Sequence, residues 1–591
     1  MKKKQSKSAM WGRLILAAYT LLLCASIAFA GTLKISRDLQ HGNSKEQVDV
    51  IVQYKQVPTA AYHQKVTSRG GKLRSELGQF QGAAYTMAAS ALNDLANDPD
   101  VAYISPDRPL SSTASGTPAP VIDYHSAAVN APQAWALGLN GSGIGIAVID
   151  SGIANVPDLN VGNIVYSQDF TGSGTAVDQY GHGTHVSGIL AGNGADSSGL
   201  FYTHQFLGIA QNVKLINLRV LDRNGVGTDS EVIAAIQTAI QLKSKYNIRV
   251  INLSLGRPVY ESYSVDPLCQ AVEQAWKAGI VVVVAAGNYG RFDLAGTNGY
   301  GTITAPGNDP YVITVGAMNT EGTATRTDDV IASYSSKGPT QFDQVVKPDL
   351  VAPGNRIISL YSGVEALSEE NPKNVIPISL YQLFGSNAAS PAYFTLSGTS
   401  MAAPMVSGSV ALMLQQKSTL TPDQVKARLM KTAYKNLIKA STVTDPTTGQ
   451  TFYEQADIFT VGAGYLDIQA ALANTDAFPV SVGSARSPSA AVDANGHVVL
   501  VQNLSSLLGG NSVLWGTSVL WGTSVICGTD LSGASVLWGT SSLQGESVLW
   551  GTSANEGESV LWGTYAAEVE SVLWGTSTDG AALTAVTING D

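Results

Sequence analysis

The sequence predicts an α/β domain in which a mainly parallel sheet lies between two layers of helices. Three short apolar segments, residues 144–149, 250–253 and 280–284, have the composition of buried strands, and each leads into a polar residue or a glycine loop. Helical patterns alternate with such strands from about residue 123 to residue 475. Because ligands bind beyond the carboxyl ends of parallel strands, we expect the functional site at these strand ends.

The first 30 residues predict a secretory signal peptide. Five basic residues among the first 13 precede an apolar run, residues 14–27, which is followed by Ala28-Phe29-Ala30. The run is shorter than the ~20 residues that a membrane-spanning helix needs, which argues against an uncleaved anchor. We therefore expect a secreted, extracellular protein that has no membrane span once the signal peptide is removed.

Residues 31–110 predict a small α+β unit. Within them, residues 48–54 and 101–104 have the composition of strands, and residues 62–77 are compatible with a helix. Residues 111–122 form a linker of small and polar residues with prolines, a composition that is exposed and easily cut. The alternative for residues 31–110 is an independent N-terminal binding module.

The last segment, residues 476–591, contains a repeat of Ser-Val-Leu-Trp-Gly-Thr. Its copies start at Ser512, Ser518, Ser535, Ser547, Ser559 and Ser571, with a degenerate copy at Ser524. A glycine at a fixed place in a short apolar repeat predicts stacked strands and turns, hence a β-rich repeat tail over about residues 512–577. Three roles stay open for this tail: a carbohydrate- or surface-binding array that keeps the protein at the cell surface, a docking segment for a partner, or a structural extension removed during maturation.

Composition narrows the classes of function. A chain of 591 residues exceeds the ~250–300 residues that one core supports, so we expect at least two folded units. The net charge of −10 and the low share of charged residues, 14%, leave no basic stripe, which argues against nucleic acid as a partner. Outside the signal peptide the cysteines are Cys269 and Cys527, so one disulfide is the most that the chain forms. We expect a monomer.

Three side chains suited to nucleophilic catalysis occur at predicted strand ends or helix starts. Asp150 follows residues 144–149, His182 lies between two glycines, and Ser400 precedes an apolar helix. A serine hydroxyl, an imidazole that takes its proton and a carboxylate that orients the imidazole together hydrolyse peptide bonds. The ordinary alternatives are a turn cap for the aspartate, a helix N-cap for the serine, and a metal site shared by His182 and His185.

Peptide hydrolysis also needs hydrogen-bond donors for the oxyanion that forms. Proline is tolerated in the first turn of a helix, so Pro404 predicts that Ser400 lies close to a helix N-terminus. The backbone N–H of Ser400 and the positive end of the helix dipole would then face the developing charge. Asn288 follows the strand of residues 280–284 and a short loop, and its side-chain amide is the predicted second donor.

Four strings around these residues resemble the signature blocks of the subtilisin-like serine proteases, in that family's Asp, His, Asn, Ser order. The strings are Val148-Ile149-Asp150-Ser151-Gly152-Ile153, His182-Gly183-Thr184-His185-Val186, Ala285-Ala286-Gly287-Asn288 and Gly398-Thr399-Ser400-Met401-Ala402-Ala403-Pro404. The resemblance covers about residues 123–475 and implies a subtilisin-like three-layer fold. It further implies a serine endopeptidase that cleaves proteins or peptides through an acyl-enzyme and needs no cofactor for its chemistry. The roles it implies are a triad of Asp150, His182 and Ser400, with Asn288 as an oxyanion donor.

The resemblance also implies how substrate binds and how the precursor is inhibited. The implied specificity pocket is lined by Ser254, Leu255, Gly256, Ala286 and Gly287. Binding by strand addition reads the main chain, so broad specificity with a preference for apolar residues follows. Residues 31–110 resemble, more weakly, the inhibitory propeptide of the family. The chain would then act on itself, with a cut between about Pro106 and His125.

Two features depart from the family pattern. Members often bind calcium, and Asp158 resembles a ligand position, but the candidate oxygen donors in residues 193–206 are few: Asn193, Asp196 and Ser197. Structural calcium is therefore left open. Residues 363–393 resemble an insertion, which either shapes the groove or decorates the surface. The alternative function is a catalytically inactive binding or surface-adhesive protein that acts through its tryptophan repeats, and the four intact catalytic residues argue against it.

Overall fold

The computed structural model describes residues 34–40, 46–112, 124–159, 162–292, 297–363, 365–445, 449–492 and 498–501. These residues form two compact units. The first unit contains the residues up to Arg108 together with the short stretch 265–267, and the second contains the others from Pro109 onward. The predicted signal peptide, most of the predicted linker, the hexamer repeats and Cys527 lie outside the described residues.

The first unit is a four-stranded antiparallel sheet with short helices, in the strand order β2-β3-β1-β4. Its elements are α1 (Arg37–Gln40), β1 (Gln47–Tyr54), α2 (Ala60–Thr67), β2 (Lys72–Leu77), β3 (Gly82–Ala88), α3 (Leu92–Ala96) and β4 (Val101–Pro106). Alternate residues of the central strand, including Val50 and Val52, are buried against a single apolar core. The strands predicted at residues 48–54 and 101–104 are confirmed.

The helix predicted over residues 62–77 is wrong in its second half. Helix α2 ends at Thr67, and the chain turns at Gly70, whose φ of +81° lies in the left-handed region that favours glycine. The first five residues of β2 then alternate between exposed and half-buried before the buried Leu77. That period of two is a strand pattern, which the helical interpretation of the whole stretch overlooked.

The second unit is built on a mainly parallel eight-stranded sheet. Its strands are β6 (Gly145–Asp150), β7 (Ile164–Asp169), β8 (Lys214–Arg219), β10 (Ile248–Leu253), β12 (Val281–Ala285), β13 (Ile313–Asn319), β14 (Val330–Ile331) and β15 (Leu350–Pro353). The order is β14-β13-β12-β10-β6-β8-β7, with β15 paired to β13, and the β13–β14 pair alone among these is antiparallel. The three strands that the sequence predicts are confirmed, as is the α/β architecture with a mainly parallel sheet.

The second unit also contains helices. They are α4 (His125–Ala128), α5 (Ala131–Ala136), α6 (His182–Ala191), α7 (Asp229–Tyr246), α8 (Pro267–Lys277), α9 (Ala366–Glu370), α10 (Thr399–Gln416), α11 (Pro422–Thr432) and α12 (Ile468–Ala473). Helix α7 packs on β6, β8 and β10, whereas α10 packs on β10, β12, β13 and β15. The first turn of α7 is closed by a capping box, in which Glu231 Oε2 accepts from the backbone N–H of Thr228 at 2.8 Å.

Smaller sheets surround the core of this unit. Their strands are β5 (Pro109–Ser112), β9 (Val226–Thr228), β11 (Leu255–Gly256), β16 (Ile357–Leu360), β17 (Val375–Pro377), β18 (Ala389–Leu396), β19 (Ala440–Thr444), β20 (Thr451–Gln455), β21 (Ser489–Val492) and β22 (Val498–Val501). The sheets have the orders β11-β5-β9, β16-β18-β17, β19-β20 and β21-β22. In the described part of the chain, no helix is both long and apolar enough to cross a membrane.

Two predicted boundaries need correction. Residues 111 and 112 belong to β5 and are strand rather than linker, because both of their neighbours in the sheet come from the second unit. The second unit also continues beyond residue 475. Gln424 Nε2 donates to Phe478 O at 2.9 Å, and the backbone N–H of Ser487 donates to Pro310 O at 2.9 Å. The composition of the sequence changes near residue 478, but the residues that follow still pack against the second unit.

Candidate functional site

The carboxyl end of β6 brings Asp150 to the first residue of α6, His182. The imidazole Nδ1 lies 2.7 Å from Asp150 Oδ1, and both side chains are fully buried. A carboxylate oxygen accepts only, so Nδ1 carries the proton and the neutral ring has its lone pair on Nε2. Among the described residues Nε2 has no hydrogen-bond partner. The pair therefore presents an oriented base.

Close approach of the backbone explains the glycine on the carboxyl side of His182. A Cβ on Gly183 would clash with the carbonyl oxygen of Gly152 and lie 3.2 Å from Asp150 Cβ. Gly152 itself has a φ of +110°, which turns the chain sharply out of the sheet after β6. A larger residue at position 183 would push the helix start, and the imidazole with it, away from the carboxylate.

Asp178 holds the start of α6 and was missed by the sequence analysis. Its Oδ2 accepts from the backbone N–H of Thr184 at 2.8 Å and from the hydroxyl of the same residue at 2.7 Å. Its Oδ1 accepts from Gly181 N at 2.8 Å and from the hydroxyl of Ser151 at 2.9 Å. A carboxylate at a helix N-terminus satisfies orphan donors and the dipole together. The available signal was an acidic residue four positions before the helix.

Ser400 is the second residue of α10, which confirms its predicted place at a helix start. The reason given by the sequence is wrong, because Pro404 is the sixth residue of the helix and lies beyond its first turn. Proline has no N–H, so the Ser400 carbonyl loses its helical donor. That carbonyl accepts instead from Ser254 Oγ at 2.9 Å, and Ser400 Oγ donates to Ser254 O at 3.0 Å. The two serines are thereby held together.

Asn288 approaches the same helix start. Its Oδ1 accepts from the backbone N–H of Thr399 at 2.9 Å and from the Thr399 hydroxyl at 3.0 Å. With the oxygen end of the amide held in this way, the NH₂ group is the donor end of the side chain. Ser400 follows Thr399 directly. The side-chain amide of Asn288 and the backbone N–H of Ser400 therefore both lie at the N-terminal end of α10. These are the two donor groups that the sequence predicts for an oxyanion.

The residues predicted to line the substrate pocket lie on two segments that Thr304 brings together. A Cβ on Gly256 would lie 2.6 Å from Thr304 Oγ1, and one on Gly287 would lie 2.6 Å from Thr304 Cγ2. The backbone N–H of Thr304 donates to Ala286 O at 3.0 Å. Ser254 is buried beside Ser400, and Leu255, the next residue, is also buried. Thr304 was not predicted, since no local pattern marks it.

His185 does not form a metal site with His182. Its Nε2 donates to the carbonyl oxygens of Ile357 and Phe394, each at 3.1 Å. Burial lowers the pKa of His185 to about 3, so the ring is neutral. Within the described ranges no three His, Cys, Asp or Glu side chains are grouped to hold a metal ion. His185 is thus a core residue.

Residues 141–464 match the family model described as the subtilase family. The chain belongs to the subtilase family. The match includes each of the four predicted catalytic residues and covers more than half of the chain.

Two curated subtilases illustrate the relationship. The chain is 42% identical to serine protease AprX of Bacillus subtilis (strain 168) over 297 residues. This alignment covers 49% of this chain and 61% of AprX. The chain is also 32% identical to subtilisin E of the same strain over 421 residues. That alignment covers 70% of this chain and 92% of subtilisin E. The chain thus spans less than two thirds of the length of AprX but nearly all of subtilisin E.

A solved structure shares the fold. It is the crystal structure of fervidolysin from Fervidobacterium pennivorans, a keratinolytic enzyme related to subtilisin. The TM-score is 0.54 at 21% sequence identity, with 76% of this chain and 63% of the fervidolysin chain covered. At this identity the likeness concerns the fold alone.

At the calcium position suggested by the family, protein donors occupy oxygens of three of the four candidate ligands. Asp158 is buried, and its Oδ2 accepts from the hydroxyl of Tyr393 at 2.7 Å, while its Oδ1 accepts from the backbone N–H of Asp196 at 2.5 Å. The Tyr393 hydroxyl also lies 2.7 Å from Ser197 Oγ. Asn193 Oδ1 accepts from the backbone N–H of Ala195 at 2.9 Å. Burial raises the pKa of Asp158. Side-chain oxygens of Asp158, Asn193 and Ser197 are therefore engaged by protein donors.

Replacement of Tyr393 by Phe is expected to destabilise the protein, whereas EDTA is not. The substitution removes a buried hydrogen bond to a carboxylate, worth about 1.5–3 kcal/mol, and should lower the Tm by several degrees. Tyr453→Phe, at a side chain that is 38% exposed, is the control and should leave the Tm unchanged. Thermal unfolding with and without EDTA measures both. A fall in Tm on EDTA treatment that disappears in Asp158→Asn would contradict this interpretation.

Proposed function

We propose that the chain is a secreted serine endopeptidase that hydrolyses proteins and is made as a self-inhibited precursor. The observation that carries this proposal is the buried contact of 2.7 Å between His182 Nδ1 and Asp150 Oδ1, with Ser400 at the start of a neighbouring helix. Membership of the subtilase family supports the same chemistry. We expect the enzyme to act as a monomer and without a cofactor in the chemical steps.

The proposed reaction proceeds through an acyl-enzyme. Ser400 Oγ attacks the carbonyl carbon of the scissile peptide and gives its proton to His182 Nε2. The Asn288 amide and the Ser400 N–H stabilise the oxyanion of the tetrahedral intermediate, and Asp150 keeps the imidazole in the required tautomer. The imidazolium then protonates the leaving amine as the C–N bond breaks. Water, activated by the same imidazole, hydrolyses the ester and restores the serine.

Substrate is proposed to bind by strand addition between β9 and β11. In the described chain this place is taken by β5, which pairs antiparallel with both strands, Ser111 lying opposite Gly256 and also opposite Val226. Leu110 is 1% exposed, so an apolar side chain is accommodated there. Main-chain pairing of this kind reads an extended backbone, which supports broad specificity.

The same pairing supports self-inhibition and self-processing. From Ser111 to Ser112 the partner residue changes from Gly256 to Leu255, so the chain advances toward Ser254, whose carbonyl oxygen accepts from Ser400 Oγ. A peptide that continues in this direction approaches the nucleophile. We therefore propose that residues 31–110 are the inhibitory propeptide and that the maturation cut falls in the linker shortly after Ser112.

Active-site labelling tests the proposal. A fluorophosphonate should modify the secreted protein at Ser400 with a stoichiometry of one and abolish casein hydrolysis in the same proportion. Fragment mass spectrometry separates Ser400 from the neighbouring Ser397 and Ser407, which serve as internal controls. Hydrolysis that persists after complete labelling, or a label on another serine, would show that Ser400 is not the nucleophile. Absence of both labelling and hydrolysis would favour the inactive, binding protein.

A further inference from the structure

The inserted segment is anchored to the loop that precedes His182. The backbone N–H groups of Ala366 and Leu367 donate to the carbonyl oxygens of Gln179 and Tyr180, at 3.1 and 3.0 Å. These donors are the first two residues of α9, whose amide groups lack carbonyl partners within the helix. The insertion therefore does more than decorate the surface, since it supplies hydrogen bonds to the chain next to the base.

The side chain of Glu365 covers the residue immediately before His182. A Cβ on Gly181 would lie 3.0 Å from Glu365 Cβ and 3.3 Å from its Cγ, so the glutamate lies directly against this glycine. Glu365 is 1% exposed, and its Oε1 accepts from the backbone N–H of Ser362. Its Oε2 has no hydrogen-bond partner among the described residues. The aliphatic part of the side chain, rather than its second oxygen, makes the contact with the glycine.

The opposite side of this loop is held by Asp178. The backbone N–H groups of Tyr180 and Gly181 donate to Asp178 Oδ1, at 3.0 and 2.8 Å. The three residues before His182 are thus fixed between the Asp178 carboxylate and the residues Glu365 to Leu367. Gly181 has a φ of +109°, a conformation that this double restraint has to maintain. Loss of one restraint leaves the chain free to move the imidazole.

We propose that Glu365 is a positioning residue for His182 and that the insertion aligns the base for catalysis. The inference rests on the proposed function and concerns a residue outside the catalytic set. Its effect is on kcat, because a displaced imidazole fails to take the Ser400 proton, whereas the strands that bind the substrate backbone are left in place. A misplacement of about 1 Å costs on the order of 100-fold in rate.

Four variants of the full-length protein test the role. Glu365→Ala removes the side chain over Gly181, and Glu365→Gln keeps it. Ala366→Pro deletes one N–H donor at the first helical position, where proline is tolerated, and Glu365 has the extended conformation (φ −100°, ψ 153°) that precedes a proline. Glu370→Ala, an exposed position on the same helix, is the control.

The readouts are kcat and KM on a peptide substrate and the rate of fluorophosphonate labelling, each normalised to the fraction of sites that finally label. Glu365→Ala and Ala366→Pro are expected to lower kcat and the labelling rate about 10- to 100-fold, with KM within about twofold of the wild-type value. Glu365→Gln should restore at least a third of the wild-type kcat, and Glu370→Ala should match the wild type.

Wild-type kcat in either Glu365→Ala or Ala366→Pro would overturn the inference. So would a Glu365→Gln variant as slow as Glu365→Ala, because packing would then not be the cause. If Glu365→Ala does not fold, Ala366→Pro and Glu365→Gln decide alone. A wild-type protein that neither labels nor hydrolyses would instead reject the proposed function, so the two failures are distinguishable.

Discussion

Ser400→Ala is expected to abolish hydrolysis and to leave the precursor uncut. Without the hydroxyl no acyl-enzyme forms, and kcat should fall on the order of 10⁶-fold, the loss that removal of the serine causes in subtilisin. Mass spectrometry of the secreted protein should show that the wild type has lost the residues before the linker. The Ser400→Ala variant should retain them. Casein hydrolysis, measured in parallel, reports on the same residue by a second route.

Ser409→Ala is the matched control for this experiment. Ser409 lies on the same helix, is fully buried, and donates to the carbonyl oxygen of Val406 within the helix. It should mature and hydrolyse casein as the wild type does. Maturation of Ser400→Ala at the normal site in a pure, dilute sample would mean that another group cleaves the linker, and residual hydrolysis would reject the assignment of the nucleophile.

Truncation after Asn474 is expected to unfold the second unit, whereas truncation after Val501 is not. Residues beyond 474 complete a buried charge cluster: Lys426 Nζ donates to Ser487 Oγ at 2.8 Å, and Ser487 Oγ donates to Asp349 Oδ1 at 2.5 Å. Lys426 Nζ lies 3.1 Å from the same carboxylate oxygen. Loss of a hydrogen bond to a buried charged group costs about 1.5–3 kcal/mol, and the truncation removes more than one such bond from a domain whose stability is ~5–15 kcal/mol.

The stability of the second unit depends strongly on this cluster because its charges are fully buried. Burial lowers the pKa of Lys426 to about 7, although the nearby Asp349 favours the charged form. The segment also supplies Ala485 N, which donates to Asp423 Oδ1 at 2.8 Å. Loss of residues 475–501 would therefore leave several buried polar groups without partners, which is costly.

Secreted yield and urea unfolding distinguish the two truncations. The chain ending at Val501 should retain the wild-type unfolding midpoint and casein hydrolysis, and the chain ending at Asn474 should show no cooperative transition. Ser487→Ala, which removes only one hydroxyl, is the intermediate case and should lose about 1.5–3 kcal/mol. A stable, active chain ending at Asn474 would refute the structural role of this segment, and an unfolded chain ending at Val501 would assign the stability to the tail.

Sequence reasoning succeeded where a pattern is local. The strand of residues 144–149 is an unbroken apolar run, and Asp150 is the first polar residue after it, so both the element and the site residue were predictable. The interpretation of residues 62–77 failed because a short helix and an alternating strand occur in one stretch, and Gly70 separates them. Similarly, Pro404 suggested the right helix start for a reason that its actual position in the helix does not support.

Local sequence patterns could not predict other residues, because the roles of those residues depend on contacts with residues far away in the sequence. Thr304 joins two pocket segments that are separated from it along the chain, and Asp178 acts on a helix whose donors become visible only when the loop is folded. The domain end was misplaced for the same reason. Ser487 follows a change in composition, yet its hydroxyl completes a charge cluster on residues more than 60 positions earlier.

The sequence by itself determined the family, the α/β class and the identity of the predicted catalytic side chains, because these depend on short strings and on the period of apolar residues. The tertiary structure alone decided which groups restrain them. The contact of His182 with Asp150, the Asp178 and Glu365 restraints before it, and the Tyr393 hydroxyl on Asp158 all join residues far apart in the chain. Hydrogen bonding and packing act through space, so such partners are recognised only after the chain has folded.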